Sequence, residues 1–156
     1  MKTNFGLADK NCHAVADELS KILADEYVLS TKTKNAHWNV EGADFYDKHK
    51  FFESQFEQID EFIDAVAERI RALGHYAPAS LKSFLELTQL TEMSSEKNDS
   101  NGFIKELLSD HESIIIKLRE NITRFTNDYQ DLGTSDFITG LMEKHEKMAW
   151  FLRSHL

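Results

Sequence analysis

The stretch that decides the fold runs from Phe45 to Leu73: Phe45-Tyr46-Asp47-Lys48-His49-Lys50-Phe51-Phe52-Glu53-Ser54-Gln55-Phe56-Glu57-Gln58-Ile59-Asp60-Glu61-Phe62-Ile63-Asp64-Ala65-Val66-Ala67-Glu68-Arg69-Ile70-Arg71-Ala72-Leu73. Phe45, Phe52, Phe56, Ile59, Ile63, Val66, Ile70 and Leu73 recur in a step of seven and then in alternating steps of four and three. That is the period of one face of an α-helix and not the alternation of a strand. Asp44 is placed to cap the start of this helix and Gly74 to end it.

Working outward, the turn Glu41-Gly42-Ala43-Asp44 separates this helix from an earlier one over roughly Asp9 to Asn35, with Val15, Leu19, Ile22 and Leu29 at helical spacing. Downstream, Gly74 to about Asn101 reads as a long connection holding Pro78, one short helical stretch over Leu81 to Leu87, and a polar run from Ser94 to Ser100. A third long helix is expected over roughly Gly102 to Asn127, with Ile104, Leu107, Leu108, Ile115, Leu118, Ile122 and Phe125 inward. After the Asp131-Leu132-Gly133 turn, Thr134 or Ser135 would cap a fourth that reaches Leu156. The expected fold is all-α: two helical hairpins joined by a connection long enough to cross the bundle from end to end.

The chain has 156 residues, of which 41% are hydrophobic, with a single Pro and a single Cys. It can bury one core and is too short for two ordinary domains, so residues 1–156 read as one domain. Cys12 has no partner for an intramolecular disulfide, the first residues lack the apolar core of a signal peptide, and no segment approaches a membrane span. These features predict a cytoplasmic protein. A net charge of −9 opposes nonspecific DNA binding, which depends on Lys and Arg neutralising phosphates, and favours the attraction of cations.

Function is carried by His37, His49, Asp64 and Glu68. Two imidazoles and two carboxylates are a ligand set for ferrous iron or zinc. On an ideal helix with Ile63 at zero, His49 falls at about 40°, Glu53 at about 80°, Asp64 at about 100° and Glu68 at about 140°, with Asp60 and Glu57 in the same strip. One reading makes this acidic stripe a solvated helix face. The other makes it half of a metal site, since Asp64 and Glu68 repel each other at i,i+4 and a cation between them relieves the repulsion. His49 and Asp64 lie roughly 22 Å apart along a straight helix, beyond the reach of any one ion. A site using both therefore needs a second copy of the chain, packed antiparallel about a two-fold axis near Glu57 and Gln58.

These residues also carry a resemblance: His37-Trp38-Asn39-Val40, then His49 twelve positions after His37, then Asp64-x-x-x-Glu68-Arg69-Ile70, and late in the chain Glu146-Lys147-Met148-Ala149-Trp150-Phe151-Leu152. Over essentially its whole length the sequence resembles the Dps family, the mini-ferritins named for DNA protection during starvation. The resemblance implies a ferritin-like four-helix bundle with a short helix in the crossover between the second and third helices, assembled as a dodecameric cage. It implies a ferroxidase that oxidises Fe(II) with hydrogen peroxide at sites between two-fold-related subunits and stores ferric mineral in the cavity, protecting against oxidative stress. By position, His37 of one chain with Asp64 and Glu68 of another would hold the first iron. Glu68 would bridge, and His49 with Glu53 would serve a second, weaker position; zinc could take the same donors. Acids near the last turn, Asp136 foremost and then Asp131 and Asp128, would line an iron-admitting pore, although helix capping is the plainer role for them. Trp38 and Trp150 would lie near the iron.

Larger ferritins place a Glu-x-x-His pair within one bundle, and that spacing occurs nowhere here. DNA-binding relatives commonly use a Lys-rich tail, whereas only Lys2 precedes Asp9 and Lys10 stands at the helix start, so DNA binding is expected to be weak or absent. His111 and His145 read as core or packing residues, Trp150 as core, and His75, His155 and Cys12 have no readable role. The competing reading is a non-enzymatic interaction protein whose acidic flank is only surface.

Overall fold

The computed structural model describes residues 3–92 and 99–156. It contains five helices among these residues: α1 (Asp9–Asn39), α2 (Phe45–Ala72), α3 (Leu81–Leu87), α4 (Ser100–Asn127) and α5 (Leu132–Arg153). α1 packs along α2 and α4 along α5, α1 also meets α4, and the short α3 lies against α1. This is the expected pair of hairpins. Most of the polar run in the connection, Ser94 to Asn98, and Lys2 lie outside the described residues.

Helix boundaries follow local hydrogen bonding. α1 continues four residues beyond the expected Asn35, which places His37 in its last turn. α2 closes at Leu73; Gly74 then adopts φ +89°, its N–H donating to the Arg71 carbonyl while the His75 N–H reaches back to Ile70. A left-handed residue at that point is what glycine supplies without a Cβ penalty. Asp44 occupies the position before α2, but its side chain makes no capping bond. α5 starts at Leu132, capped by Asp131 and not by the expected Thr134 or Ser135, because the Asp131 carboxylate takes the Thr134 N–H at 2.9 Å; the helix ends at Arg153, short of Leu156.

The core is the seam of the sequence with a few exchanges. Phe52, Ile59, Val66, Ile70 and Leu73 of α2 are fully buried, while Phe45 is 44% exposed and Phe62 takes an inward place not assigned to it. Leu108, Ile115 and Ile122 of α4 pack only from the flank; Phe103 and Ile114 are buried instead. Trp150 is 57% exposed and not core, because it faces away from the Met148–Leu152 stripe that α5 turns inward.

The crossover does traverse the bundle. His75, just beyond α2, packs at a tilt against His13 near the start of α1, with ring centroids 5.2 Å apart. Midway, the α3 residue Phe84 stacks on Tyr27 with ring centroids 4.3 Å apart, and Asp99 at the far end pairs with Glu41 in the α1–α2 turn. Charged groups in the interior fix this path. Asp25 of α1 accepts from the Thr88 hydroxyl at 2.6 Å and the Gln89 N–H at 2.7 Å; Lys32 reaches the Thr91 carbonyl at 2.9 Å, Asp110 at 2.6 Å and Glu106 at 3.1 Å. Burial pushes the carboxyl groups of Asp25 and Asp110 above the ordinary range, and each is held down in part by its partners. No described helix is long and apolar enough to cross a membrane.

Removing Lys32 strands two acids in the interior. Lys32→Met is expected to lower stability by about 3–5 kcal/mol in urea unfolding. The same substitution at Lys82, in an exposed pair with Glu86, should leave the midpoint unchanged.

Candidate metal centre

The last turn of α1 and the first turns of α2 meet through two histidines. His37 Nδ1 lies 2.8 Å from the His49 carbonyl, and His49 Nδ1 lies 2.7 Å from the His37 carbonyl. A carbonyl only accepts, so each neutral ring must carry its proton on Nδ1 and leave the Nε2 lone pair bare. Carbonyl-oriented imidazole of this kind is the usual preparation of a metal-ligating histidine. The bond to the His37 carbonyl also has a structural origin, since carbonyls in the last turn of a helix lack intrahelical donors. His37 is buried by the Phe56 edge at 5.2 Å, and Phe45 covers His49 at the same distance.

The two rings are stacked, with centroids 3.8 Å apart and planes inclined by 20°. A ring nitrogen binds a metal in the plane of its ring at about 2.0–2.1 Å. Planes that far apart and that nearly parallel do not meet within such a distance, so the pair cannot share one ion.

Glu53, one turn beyond His49, is half-buried; its carboxyl is held below the ordinary range chiefly by the 2.7 Å hydrogen bond from Lys50, with the two histidines contributing. Asp64 and Glu68 lie farther along α2 and are exposed, as are Glu57 and Gln58 between them and His49. Among the described residues of a single chain, no three metal-binding side chains converge on one point. The structure thus brings His37 and His49 into contact, with Glu53 one turn farther along α2, and leaves Asp64 and Glu68 on a distant, exposed part of the same helix. Beside Asp64 runs a groove of about 520 Å³ between α1 and α2, with Trp38, Tyr27 and Ile63 in its walls. Asp60 in that groove is held by Lys34 at 3.0 Å and Ser30 at 2.7 Å. Trp38 is 70% exposed there, so packing within the chain does not explain it.

Of the three acids near the last turn, Asp131 is buried and spends its carboxylate on the Thr134 N–H and hydroxyl, with Arg69 3.5 Å away. Asp128 and Asp136 are exposed. His155 packs edge-on against Phe51 beside Lys48, and Cys12 is buried and unpaired. Sequence reasoning did not find Glu26, which is wholly buried on α1 and bonds His145; its signal was its place in the Ile22-to-Leu29 seam.

A bundle of this connectivity, with two oriented histidines at one end of its first hairpin, belongs to the ferritin-like class, and a ferritin-like domain model matches residues 16–156. Among similar proteins, a DNA protection during starvation protein of Bacillus anthracis is 33% identical over 142 residues, covering 91% of this chain and 96% of that protein. A low temperature-induced protein of Nostoc is 43% identical over 155 residues, covering 99% of this chain and 87% of the relative. The solved Dps structure of Mycobacterium smegmatis superposes with a TM-score of 0.93 at 30% identity, over all of this chain and 93% of the other. That of Vibrio cholerae, described as a member of a broad superfamily of ferritin-like diiron-carboxylate proteins, gives 0.91 at 26% identity over 99% and 96%. The chain belongs to the Dps family of mini-ferritins.

The two kinds of acid near the last turn separate by stability. Asp131→Ala is expected to cost about 1–2 kcal/mol through loss of the α5 cap, whereas Asp136→Asn should stay within about 0.5 kcal/mol of the parent. Thermal or urea unfolding of the two variants reads the difference.

Proposed function

We propose that this protein is a ferroxidase and iron store that works as a dodecameric cage, with each di-iron site shared between two chains. The observation that supports the reading is the stacked His37 and His49 pair, whose Nδ1 atoms are held by carbonyls so that each Nε2 lone pair would be free to take its own ion. His37 with Asp64 and Glu68 of a neighbouring copy would take the first ferrous ion. Glu68 would bridge to the second, which His49 and Glu53 would hold more weakly, because Lys50 already occupies the Glu53 carboxylate. The exposed Asp64, Glu68, Trp38 and intervening Glu57 supply the face for that copy, and antiparallel packing about Glu57 supplies the symmetry.

Iron is the substrate here. Two ferrous ions give one electron each to hydrogen peroxide, the O–O bond breaks to give two hydroxides without hydroxyl radical, and the two ferric ions combine with hydroxide and water to form hydrated ferric oxide, releasing protons to solvent. Carboxylates favour the ferric product as hard ligands for a hard ion, and the net charge of −9 favours ferrous entry. Asp136 and Asp128 are the exposed acids available to a pore; Asp131 is committed to its cap. Zinc competes for the same imidazole and carboxylate donors. Binding to DNA is weak or absent, given the net charge of −9, and the working location is the cytoplasm.

Shared sites make a sharp test. His37→Ala and Asp64→Ala variants should each lose ferrous binding in anaerobic titration and lose rapid oxidation on peroxide addition. Unfolded together and reassembled in equal amounts, they should recover about a quarter of the parent's sites, since random two-fold pairing rebuilds one intact His37–Asp64 combination in four. No recovery would place the site within one chain; unchanged oxidation in both single variants would remove it from these residues. Light scattering should give about 216 kDa for twelve 18.0 kDa chains, and a monomer would favour the non-enzymatic alternative.

A further inference from the structure

In the middle of the bundle, away from the metal centre, three titratable side chains form a line through an otherwise apolar layer. Glu26 Oε1 of α1 lies 2.7 Å from His145 Nε2 of α5, and His145 Nδ1 lies 2.9 Å from His111 Nδ1 of α4. Glu26 and His145 are 0% exposed and His111 is 1% exposed. α2 faces this line with the Phe62 ring, 5.3 Å from His145, and contributes no charge to it. The other buried charges nearby, Lys32 with Asp110 and Glu106, and Asp25, are bonded among themselves and to the crossover. The second carboxylate oxygen of Glu26 has no partner.

Proton counting limits what this line can hold. Each of its two contacts needs one hydrogen, so the chain of three is satisfied with His145 doubly protonated between a Glu26 carboxylate and a neutral His111, or with one proton fewer when His111 donates to His145. A proton on the histidines beyond the first of these arrangements sets two N–H groups against each other at 2.9 Å and places net positive charge in a dry interior. Burial, followed by the neighbouring His145, accordingly drives His111 well below its ordinary range. In the unfolded chain both histidines take up protons freely near pH 6.5.

We propose that the Glu26–His145–His111 line is an acid-sensitive fastener of the bundle, which holds α1, α4 and α5 together at neutral pH and yields with uptake of a proton as the medium becomes acidic. The sign follows from linkage: a histidine depressed in the folded state contributes stability that is complete above about pH 6.5 and is lost as pH falls from there toward its folded value. One extra proton bound by the unfolded chain makes the unfolding constant rise up to tenfold per pH unit for each subunit. The device is independent of iron.

The test is urea unfolding of the whole protein at steps from pH 7.5 to 5.0, with His111→Gln as comparison, since glutamine can still hydrogen-bond His145 but does not titrate. The parent's unfolding constant should rise more steeply below pH 6.5 than the variant's, by a factor approaching ten per unit. Equal slopes would overturn the proposal, whatever the absolute stabilities. Should His111→Gln fail to fold, ¹⁵N-histidine spectra of the parent decide: of seven rings, at least one should keep the neutral pattern down to pH 5.0. Titration of all seven near pH 6.5 would overturn the assignment.

Discussion

A helix that ends must find donors for its last carbonyls, and in this protein that constraint is met in a way that also orients the two histidines of the candidate metal centre. The His37 carbonyl, left without an intrahelical partner, takes the Nδ1 proton of His49, and the His49 carbonyl takes the Nδ1 proton of His37. One pair of bonds therefore closes the α1–α2 hairpin, fixes both tautomers and stacks the two rings. The angle at which α2 leaves the turn, and with it the direction of every acid along its exposed strip, is set by the same contact.

The charged interior is the second organising feature. Lys32, Asp25 and Asp110 are expensive to bury, and the crossover residues Thr88, Gln89 and Thr91 are among their partners. A connection of about two dozen residues carries a large choice of paths. The buried charges narrow that choice, because few paths satisfy all of them. Apolar contacts alone, such as Phe84 on Tyr27, would hold α3 against α1 with much less positional precision.

Much of this was legible in the sequence, and the failures have physical reasons. The seam of α2 and the inward residues of α1 could be read directly, since a 3.6-residue period with turns at both ends has one interpretation. The start of α5 was misread because Asp131, Thr134 and Ser135 are all capping residues, and only geometry shows that Asp131 captures the Thr134 N–H. Trp150 was misread as core because a large aromatic near an apolar stripe resembles a buried one until the helix phase is fixed. His111 and His145 were correctly placed inside, but Glu26, at a seam position between Ile22 and Leu29, was not read as their partner. A carboxylate on an apolar seam predicts a buried cation or imidazole opposite it.

The candidate site was legible as a set of residues and not as a geometry. Spacing along α2 required a second chain, but spacing alone could not distinguish one shared ion from two. The 3.8 Å stack makes that distinction, because two nearly parallel rings cannot direct their in-plane lone pairs at a common point. A subunit with two oriented imidazoles at one end of α2 and two exposed, mutually repelling carboxylates at the other is half-built twice. In the proposed antiparallel pairing each half would meet its complement, and the Asp64–Glu68 repulsion would lie opposite the ions that relieve it. Assembly and metal binding would then favour each other by linkage, since in the proposed arrangement iron gains its full ligand set only where two chains meet.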